Sequence, residues 1–176
     1  MTTNGRPSFS LAGKVAWITG SSTGLGKVMA MQMGAAGAKV ALNYANNEVR
    51  ANETFQQFQD GGHEGILTRG SVIVEEDINR MNQEITDALG PVDIVVINAT
   101  PDQPMKPIEE YTWEFYQSML DFFIKSPFLI SRAVLPHMKK QKWGRIINIG
   151  SEVYTRGVPN FTASCAAKGG QHGFNR

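Results

Sequence analysis

The sequence predicts an α/β fold in which helices cover both faces of a doubly wound parallel sheet. Two observations support this prediction: short apolar runs alternate with helix-like segments along all 176 residues, and a glycine cluster occupies the first strand-to-helix turn. Strands of a parallel sheet are buried on both faces, so they read as continuous apolar runs, and right-handed crossovers carry the helices to both sides. Because the length suits one domain, residues 1–176 are predicted to form a single unit.

Five apolar runs are the predicted strands, at residues 14–19, 39–43, 65–69, 92–97 and 145–149. Helices are predicted between them, at residues 25–36, 48–59, 75–89 and 112–140, with a last helix from residue 162 onwards. Pro127 and Pro136 lie inside the fourth helix, where we expect a kink or a break. A loop is predicted for residues 150–160.

The composition is that of an ordinary soluble globular protein, with 41% hydrophobic residues, 19% charged residues and a net charge of +1. Its Lys and Arg residues form no block, so neither a nucleic-acid partner nor a membrane surface is predicted. Cys165 is the only cysteine, which rules out an internal disulfide, and no metal site is predicted. Residues 1–10 hold no apolar run of a signal peptide, and no segment approaches the roughly 18 apolar residues of a membrane-spanning helix. We therefore expect a cytoplasmic protein.

The glycine cluster Thr19-Gly20-Ser21-Ser22-Thr23-Gly24-Leu25-Gly26 lies between the first predicted strand and its helix. A helix N-terminus offers free backbone N–H groups and the positive end of the helix dipole. Glycines let the backbone approach a pyrophosphate closely and let the helix pack on the strand. Three glycines can also serve a plain turn, but the position in a βαβ unit favours a dinucleotide site.

Further segments match a known family. The GxxxGxG spacing resembles the TGxxxGxG motif of the short-chain dehydrogenase/reductase family, and the similarity runs from about residue 11 to residue 174. Asn98-Ala99 resembles the family's NAG motif, and residues 143–151 (WGRIINIGS) resemble the segment that carries its catalytic serine. Asn43-Tyr44-Ala45 is similar to the 3-oxoacyl-acyl-carrier-protein reductases of this family. The resemblance implies a Rossmann-type fold and NAD(P)-dependent hydride transfer with a small-molecule ketone or alcohol, such as a 3-oxoacyl thioester.

The resemblance also implies a set of cofactor-binding residues: Gly20, Ser22, Thr23, Gly24, Leu25, Gly26, Asn43, Ser71, Val72, Asn98, Ala99 and Lys168. An acid at the end of the second strand would hold the ribose hydroxyls and repel a 2′-phosphate. No acid precedes Glu48 here, which favours NADP over NAD. Ser71 stands where the family usually has an Asp, and its hydroxyl can still accept a hydrogen bond from the adenine amino group.

The catalytic positions of the family are only partly kept. The family uses a Tyr as proton donor, a Lys four residues later, a Ser that orients the carbonyl and an Asn in a proton relay. By resemblance Lys168 is the lysine and Ser151 the serine, while Ser164 stands at the Tyr position and Phe123 at the Asn position. A tuned general acid contributes about 10²–10⁴-fold to a rate. Because Lys168 cannot bring an aliphatic hydroxyl near neutrality, we expect very little turnover.

Two other groups near these positions carry an acidic proton: the phenol of Tyr154, which would have to swing in from the predicted loop, and the thiol of Cys165, which points elsewhere on the helix. Thr100 replaces the glycine of the NAG motif and adds bulk near the nicotinamide end.

The chain ends at Arg176 inside the last predicted helix, whereas members of the family continue with two more strands and a substrate loop. We therefore expect a truncated product that lacks the last strands of the family fold, so that its fifth strand is a sheet edge. A homo-oligomer is expected if the full family fold is completed. Three functions remain open: an impaired oxidoreductase, a catalytically dead nucleotide-binding pseudoenzyme, and a non-functional fragment.

Overall fold

The computed structural model describes residues 9–175, and at its centre lies a parallel sheet of five strands in the order β3-β2-β1-β4-β5. The strands are β1 (Val15–Ile18), β2 (Lys39–Tyr44), β3 (Gly65–Arg69), β4 (Ile94–Ile97) and β5 (Arg145–Asn148). All four neighbouring pairs run parallel. The predicted fold class is therefore confirmed. The strand order reverses direction next to β1, which makes the space beyond β1 and β4 the topological switch point of the sheet.

Seven α-helices surround the sheet within residues 9–175. They are α1 (Gly24–Ala35), α2 (Glu48–Asp60), α3 (Glu75–Leu89), α4 (Trp113–Leu120), α5 (Ser126–Lys140), α6 (Val153–Arg156) and α7 (Thr162–Phe174). Buried residues of α1 and α2 share one core, and buried residues of α3 and α5 share the other. A third, smaller cluster joins α7 to the end of α4. None of the described helices is both long enough and apolar enough to cross a lipid bilayer.

Strand β1 shows how the sequence builds two cores from one strand. Its residues Val15, Ala16, Trp17 and Ile18 are all buried. Successive side chains of a strand point to opposite faces. Val15 and Trp17 therefore enter the core beneath α3 and α5, whereas Ala16 and Ile18 enter the core beneath α1 and α2.

The long fourth helix is interrupted at one of its two prolines. A π-helical segment, Asp121–Lys125, joins α4 to α5. Pro127 has no N–H to offer the carbonyl four residues before it, and the N–H of Ser126 reaches back five residues to the carbonyl of Asp121. Of the kink or break expected at the prolines, the break does not occur at Pro136, because α5 continues through it. Arg132, whose carbonyl loses its helical partner there, is exposed, so water can satisfy that carbonyl.

The remaining differences between the predicted and the observed elements are small. Strands β1, β4 and β5 are one or two residues shorter than predicted, and β2 and α2 each extend one residue further. The predicted loop at residues 150–160 contains the short helix α6, so the prediction of an irregular segment is wrong there. The Ser151 Oγ accepts a hydrogen bond of 3.3 Å from the N–H of Val153, which favours a helical turn at this point. In the described sheet β5 is an edge strand, and its residues alternate between exposed and half-buried.

Candidate active site

A cleft of about 790 Å³ opens at the carboxyl ends of the strands, at the topological switch point. Open α/β sheets bind their ligands at this place. It runs from the turn after β1 to the segment after β5. Twelve of the residues predicted from the sequence line it: Gly20, Ser22, Thr23, Gly24, Leu25, Asn43, Ser71, Val72, Asn98, Ala99, Ser151 and Lys168. Gly26 and Ser164, also predicted as site residues, are not part of its wall.

Two positions of the turn after β1 can hold only glycine. Gly20 has a φ of +62°, and a Cβ there would lie 2.8 Å from the Cα of Ala99. A Cβ at Gly26 would lie 2.5 Å from the carbonyl oxygen of Gly20 and 2.6 Å from the Nδ2 of Asn98. Gly26 therefore lies behind the turn, where it lets α1 approach β1, and it does not face the cleft.

The side chain of Asn98 braces this turn from the end of β4. Its Nδ2 donates to the carbonyl of Thr19 at 3.0 Å and to the carbonyl of Gly20 at 3.1 Å. The Thr19 Oγ1 accepts the N–H groups of Asn98 at 2.9 Å and Ala99 at 3.0 Å. Asn98 is thus placed to hold the shape of the glycine turn, and it lines the cleft as well.

The first turn of α1 presents free backbone donors to the cleft. The Thr23 side chain does not cap the helix, and the N–H of Lys27 bonds back to the carbonyl of Thr23 at 3.1 Å. The N–H groups before Lys27 have no intrahelical acceptor, because the first turn of any helix lacks one. No acidic residue lies in this turn, and the space that a Cβ of Gly24 would enter is empty to 4 Å. This end of the cleft therefore suits a phosphate group.

Asn43, at the end of β2, is buried and fully engaged. Its Oδ1 accepts the N–H of Gly20 at 3.1 Å, and its Nδ2 donates to the carbonyl of Gly70 at 3.1 Å. The side chain therefore ties the glycine turn to the end of β3, so it shapes the cleft wall instead of reaching towards a ligand. Next to it, the N–H of Ser71 donates to the carboxylate of Asp77 at 2.8 Å. This hydrogen bond, with one from Arg80, holds the pKa of Asp77 below its usual value.

Three arginines lie around this part of the cleft. Arg50, in the first turn of α2, lines the cleft itself. Arg69 and Arg80 line an adjoining pocket of about 420 Å³, which shares Ala45, Asn46, Gly70 and Ser71 with the cleft. The guanidinium of Arg80 contacts Asp77 at 3.0 Å and Glu84 at 2.7 Å. Within residues 9–175 the side chain of Arg50 forms no ion pair.

Lys168 lies at the other end of the cleft and is only 8% exposed. Its Nζ donates to the carbonyl of Ile149 and to the Oε1 of Gln171, the latter at 2.9 Å. The ammonium also lies 3.9 Å from the ring centroid of Phe123. Burial lowers the pKa of Lys168 to about 8.

Ser151 lines the cleft together with Lys168, so the structure brings these two predicted catalytic residues to one place. The Ser151 Oγ accepts the N–H of Val153 at 3.3 Å. Because a hydroxyl has one donor and two acceptor sites, its proton stays available to a ligand.

The hydroxyl of Ser164 is turned away from the cleft. Ser164 is 1% exposed, and its Oγ lies 3.9 Å from the Sδ of Met119. The two alternative donors do not line the cleft either: the rings of Tyr154 and His172 are tilted against each other with centroids 5.3 Å apart, and the Sγ of Cys165 donates to the carbonyl of Val153 at 3.2 Å. Neither the phenol of Tyr154 nor the thiol of Cys165 therefore lines the cleft.

Sequence reasoning missed several residues of the site. Arg50 follows the end of β2 by one turn of helix and could have been found, because everything at the carboxyl edge of a parallel sheet meets there. The loop after β4 forms part of the cleft wall, and within it Gln103 Nε2 donates to Thr100 Oγ1 at 2.8 Å. Gln171 carried no signal at all, since its contact with Lys168 depends on how α7 packs.

The fold and the position of the cleft are those of the nucleotide-binding α/β class. The model of the short chain dehydrogenase family matches residues 14–176, and the chain belongs to that family. It is 30% identical over 162 residues to a 2-dehydro-3-deoxy-D-gluconate 5-dehydrogenase of Formosa agariphila. It is 32% identical over 169 residues to a 3-oxoacyl-acyl-carrier-protein reductase of Synechocystis. These matches cover 92% and 95% of this chain but 61% and 67% of the two relatives. Members of the family are oxidoreductases that use NAD or NADP.

Proposed function

We propose that this chain binds NADP in preference to NAD along the cleft, and that the cleft serves hydride transfer between the nicotinamide and a ketone or alcohol. One observation carries the proposal: a single continuous cleft runs from the uncapped start of α1 to Ser151 and Lys168. Phosphate-binding and carbonyl-binding groups therefore lie along one groove. Membership in the short chain dehydrogenase family supports the same class of reaction.

The residues at the start of α1 fit the pyrophosphate of a dinucleotide. The glycines leave room where a Cβ of Gly24 would stand, and the free N–H groups and the helix dipole attract negative charge. Asn98 and Asn43 hold the turn in this shape through four hydrogen bonds to residues 19, 20 and 70. The site is thus preorganised, so little entropy is lost when a ligand orders it.

The charges near the end of β2 support a preference for NADP. The first acid after β2 is Glu48, which is exposed on α2. Arg50 lines the cleft and has no ion-pair partner within residues 9–175, so its guanidinium is available to a 2′-phosphate. The Ser71 Oγ accepts a long hydrogen bond of 3.5 Å from the N–H of Ile73, and a hydroxyl oxygen has a second lone pair that can accept from the adenine amino group.

A bound nicotinamide dinucleotide supplies a hydride to the carbonyl carbon. This chain supplies position and charge. The Ser151 hydroxyl donates a hydrogen bond to the carbonyl oxygen, and the Lys168 ammonium attracts ribose hydroxyls and stabilises negative charge at that end of the cleft. Within residues 9–175 no phenol lines the cleft next to Lys168, and we therefore propose that protonation of the product alcohol is slow and that turnover is strongly impaired.

The relatives suggest a substrate class. The Synechocystis relative is named a 3-oxoacyl-acyl-carrier-protein reductase, and we propose a 3-oxoacyl thioester as the carbonyl substrate of this chain. The protein is also proposed to act as a homo-oligomer when the full family fold is present.

A second function is supported by Ser164. Its hydroxyl is buried against Met119, a member of the small cluster between α4 and α7. The residue at the family's proton-donor position is therefore packed against the hydrophobic core. A protein that keeps the nucleotide site and has lost the chemistry is therefore the alternative to an impaired enzyme. A fragment without function is the third possibility, and it is the one that predicts no binding.

Titration with NADPH and with NADH, followed by the change in nicotinamide fluorescence, tests the proposal. We expect saturable binding of both cofactors, with NADPH binding more tightly. Absence of binding at millimolar cofactor would exclude both the enzyme and the binding protein. If NADPH binds, its oxidation in the presence of a 3-oxoacyl thioester separates the two: a slow but measurable rate supports the enzyme, and none supports the pseudoenzyme.

A further inference from the structure

The ammonium of Lys168 is a buried cation without a carboxylate partner. Among residues 9–175 it forms no ion pair with an Asp or Glu, although it is only 8% exposed. Burying a charge without compensation is unfavourable, because the charge loses its hydration. Other groups must therefore take the place of water around this Nζ.

The elements packed around Lys168 carry few groups that could do this. Their titratable side chains are Glu114, Tyr116, Asp121, Lys125, Glu152, Tyr154, Arg156, Cys165 and His172. The acids are engaged elsewhere or exposed: Asp121 accepts from Gln117, and Glu152 pairs with Arg156 at 2.7 Å. No carboxylate of the described chain lies within ion-pair distance of Lys168. The electrostatics of Lys168 are thus governed by burial and by neutral neighbours.

Three neutral groups surround the Nζ. The carbonyl of Ile149 and the Oε1 of Gln171 accept hydrogen bonds from it, and the face of the Phe123 ring lies 3.9 Å away. The Ile149 carbonyl is backbone and is present whatever the side chain. Gln171 therefore supplies the one side-chain oxygen that contacts this ammonium.

The burial of Gln171 and its place on α7 favour this contact. It is 3% exposed and lies three residues after Lys168 on α7, so the two side chains share one face of the helix. An aliphatic side chain at residue 171 would fill the same space and leave the ammonium without that oxygen. An ammonium has three N–H donors. Ile149 and Gln171 take two of them, and the third stays available to an oxygen of a ligand in the cleft.

We propose that Gln171 is a positioning residue that, together with the ring of Phe123, holds the Lys168 ammonium at the wall of the cleft. It acts through Lys168 and does not itself touch a ligand. The role of Lys168 in binding the cofactor rests on the function proposed above, but the contact between Gln171 and Lys168 can be tested in the protein alone.

The proposal predicts how the titration of Lys168 responds to substitution. In Gln171→Leu the charged form loses a hydrogen-bond acceptor, so the pKa of Lys168 falls below about 8. In Gln171→Glu the acceptor becomes a carboxylate, which favours the ammonium, so the pKa rises. We expect a shift of about one unit in each direction. A residue that only filled space would leave the pKa of Lys168 unchanged in Gln171→Leu, whereas the carboxylate of Gln171→Glu raises it by its charge.

Competitive acetylation of the ligand-free protein measures this pKa. The protein is pulsed with acetic anhydride between pH 6 and 11, and the peptide that contains Lys168 is quantified by mass spectrometry. The expected result is a lower midpoint for Gln171→Leu, a higher one for Gln171→Glu and no change for Gln32→Leu, an exposed glutamine on α1. An unchanged midpoint in Gln171→Leu would overturn the proposal. Gln171→Met keeps an unbranched side chain of similar length without the amide oxygen, so its midpoint is expected to fall as well and tests the proposal if the Leu variant does not fold.

NADPH titration of the same variants links the contact to function. If NADPH binds, Gln171→Leu weakens binding more at pH 8 than at pH 6, because less of Lys168 is charged at the higher pH. If NADPH does not bind to the unchanged protein, the proposed function fails, and the acetylation midpoints still decide the role of Gln171.

Discussion

The two ends of the cleft are built in different ways: the nucleotide end is formed by the turn after β1 and the start of α1, and the chemical end by Ser151 and Lys168. At the nucleotide end the backbone forms the site. Gly20 and Gly26 allow close approaches that no Cβ would permit, and the Asn98 side chain holds the turn through hydrogen bonds to the carbonyls of Thr19 and Gly20. At the chemical end the site consists of a few side chains. Ser164, which was predicted to belong to them, points into the core and contacts Met119. A site made of backbone is tied to the fold, whereas a site made of side chains can change while the fold stays intact.

The energetic reason lies in what each substitution disturbs. A side chain at Gly26 would overlap the carbonyl oxygen of Gly20, so the fold itself selects for glycine. Ser164 is a small residue of α7 that is buried against Met119. It overlaps no neighbour and leaves no unpaired charge. The fold therefore accommodates a serine at position 164, whereas a side chain at Gly26 would force the turn to move.

Restoring a phenol at the chemical end has the largest expected effect. The space beside Met119 holds only a small side chain, so the ring of Ser164→Tyr has to turn towards the cleft, one helical turn before Lys168. With a general acid there, we expect NADPH-dependent reduction of a small diketone to rise by about 10²–10⁴-fold. The rate is measured from the loss of NADPH absorbance. Ser164→Phe is the matched control, because it adds the same ring without the hydroxyl and should leave the rate low. Equal rates for Tyr and Phe would show that residue 164 is not the acid position.

Adding a single methyl group at Gly26 should strongly weaken cofactor binding at the nucleotide end. Gly26→Ala puts a Cβ 2.5 Å from the carbonyl of Gly20, so the turn must move and we expect NADPH affinity to fall by at least about 100-fold. Gly173→Ala on α7 is the control, because a Cβ there meets nothing within 4 Å. Circular dichroism checks that both variants fold. An affinity for Gly26→Ala within threefold of the unchanged protein would contradict the backbone-built site.

Cofactor choice tests the charges beside the nucleotide end. Arg50→Ala removes the guanidinium that lines the cleft, and we expect NADPH affinity to fall by about tenfold while NADH affinity stays the same. Arg156→Ala on α6 is the control, since that arginine pairs with Glu152 outside the cleft. Equal losses for both cofactors would place Arg50 away from the 2′-phosphate.

The contrast between the two ends also explains how far the sequence could predict them. The glycine spacing lies within a few consecutive residues. It was therefore enough to predict the turn, the start of α1 and their position in the sheet. Ser151 and Lys168 were predicted as site residues from their resemblance to the family's catalytic positions, and both line the cleft.

The directions of side chains between distant elements could not be predicted. The contact of Ser164 with Met119 joins residues 45 positions apart. The contact of Lys168 with Phe123 depends on the π-helical segment, whose i to i+5 bonding changes which residues of the helix face α7. The proline that favours this segment was visible in the sequence, but its effect on Phe123 was not.

The smallest expected effect concerns the cost of burying the Lys168 charge. Its pKa is lowered from 10.5 to about 8, so between these two values the unfolded chain holds more protons than the folded one, and stability rises with pH. The penalty is fully present below about pH 8 and is relieved as the pH rises. Lys168→Met lacks this group, so from pH 7 to pH 9 the unchanged protein should gain about 1 kcal/mol in unfolding free energy relative to the variant. Urea unfolding at several pH values measures the difference, and a gap that stays constant with pH would mean that the ammonium at the chemical end is well solvated.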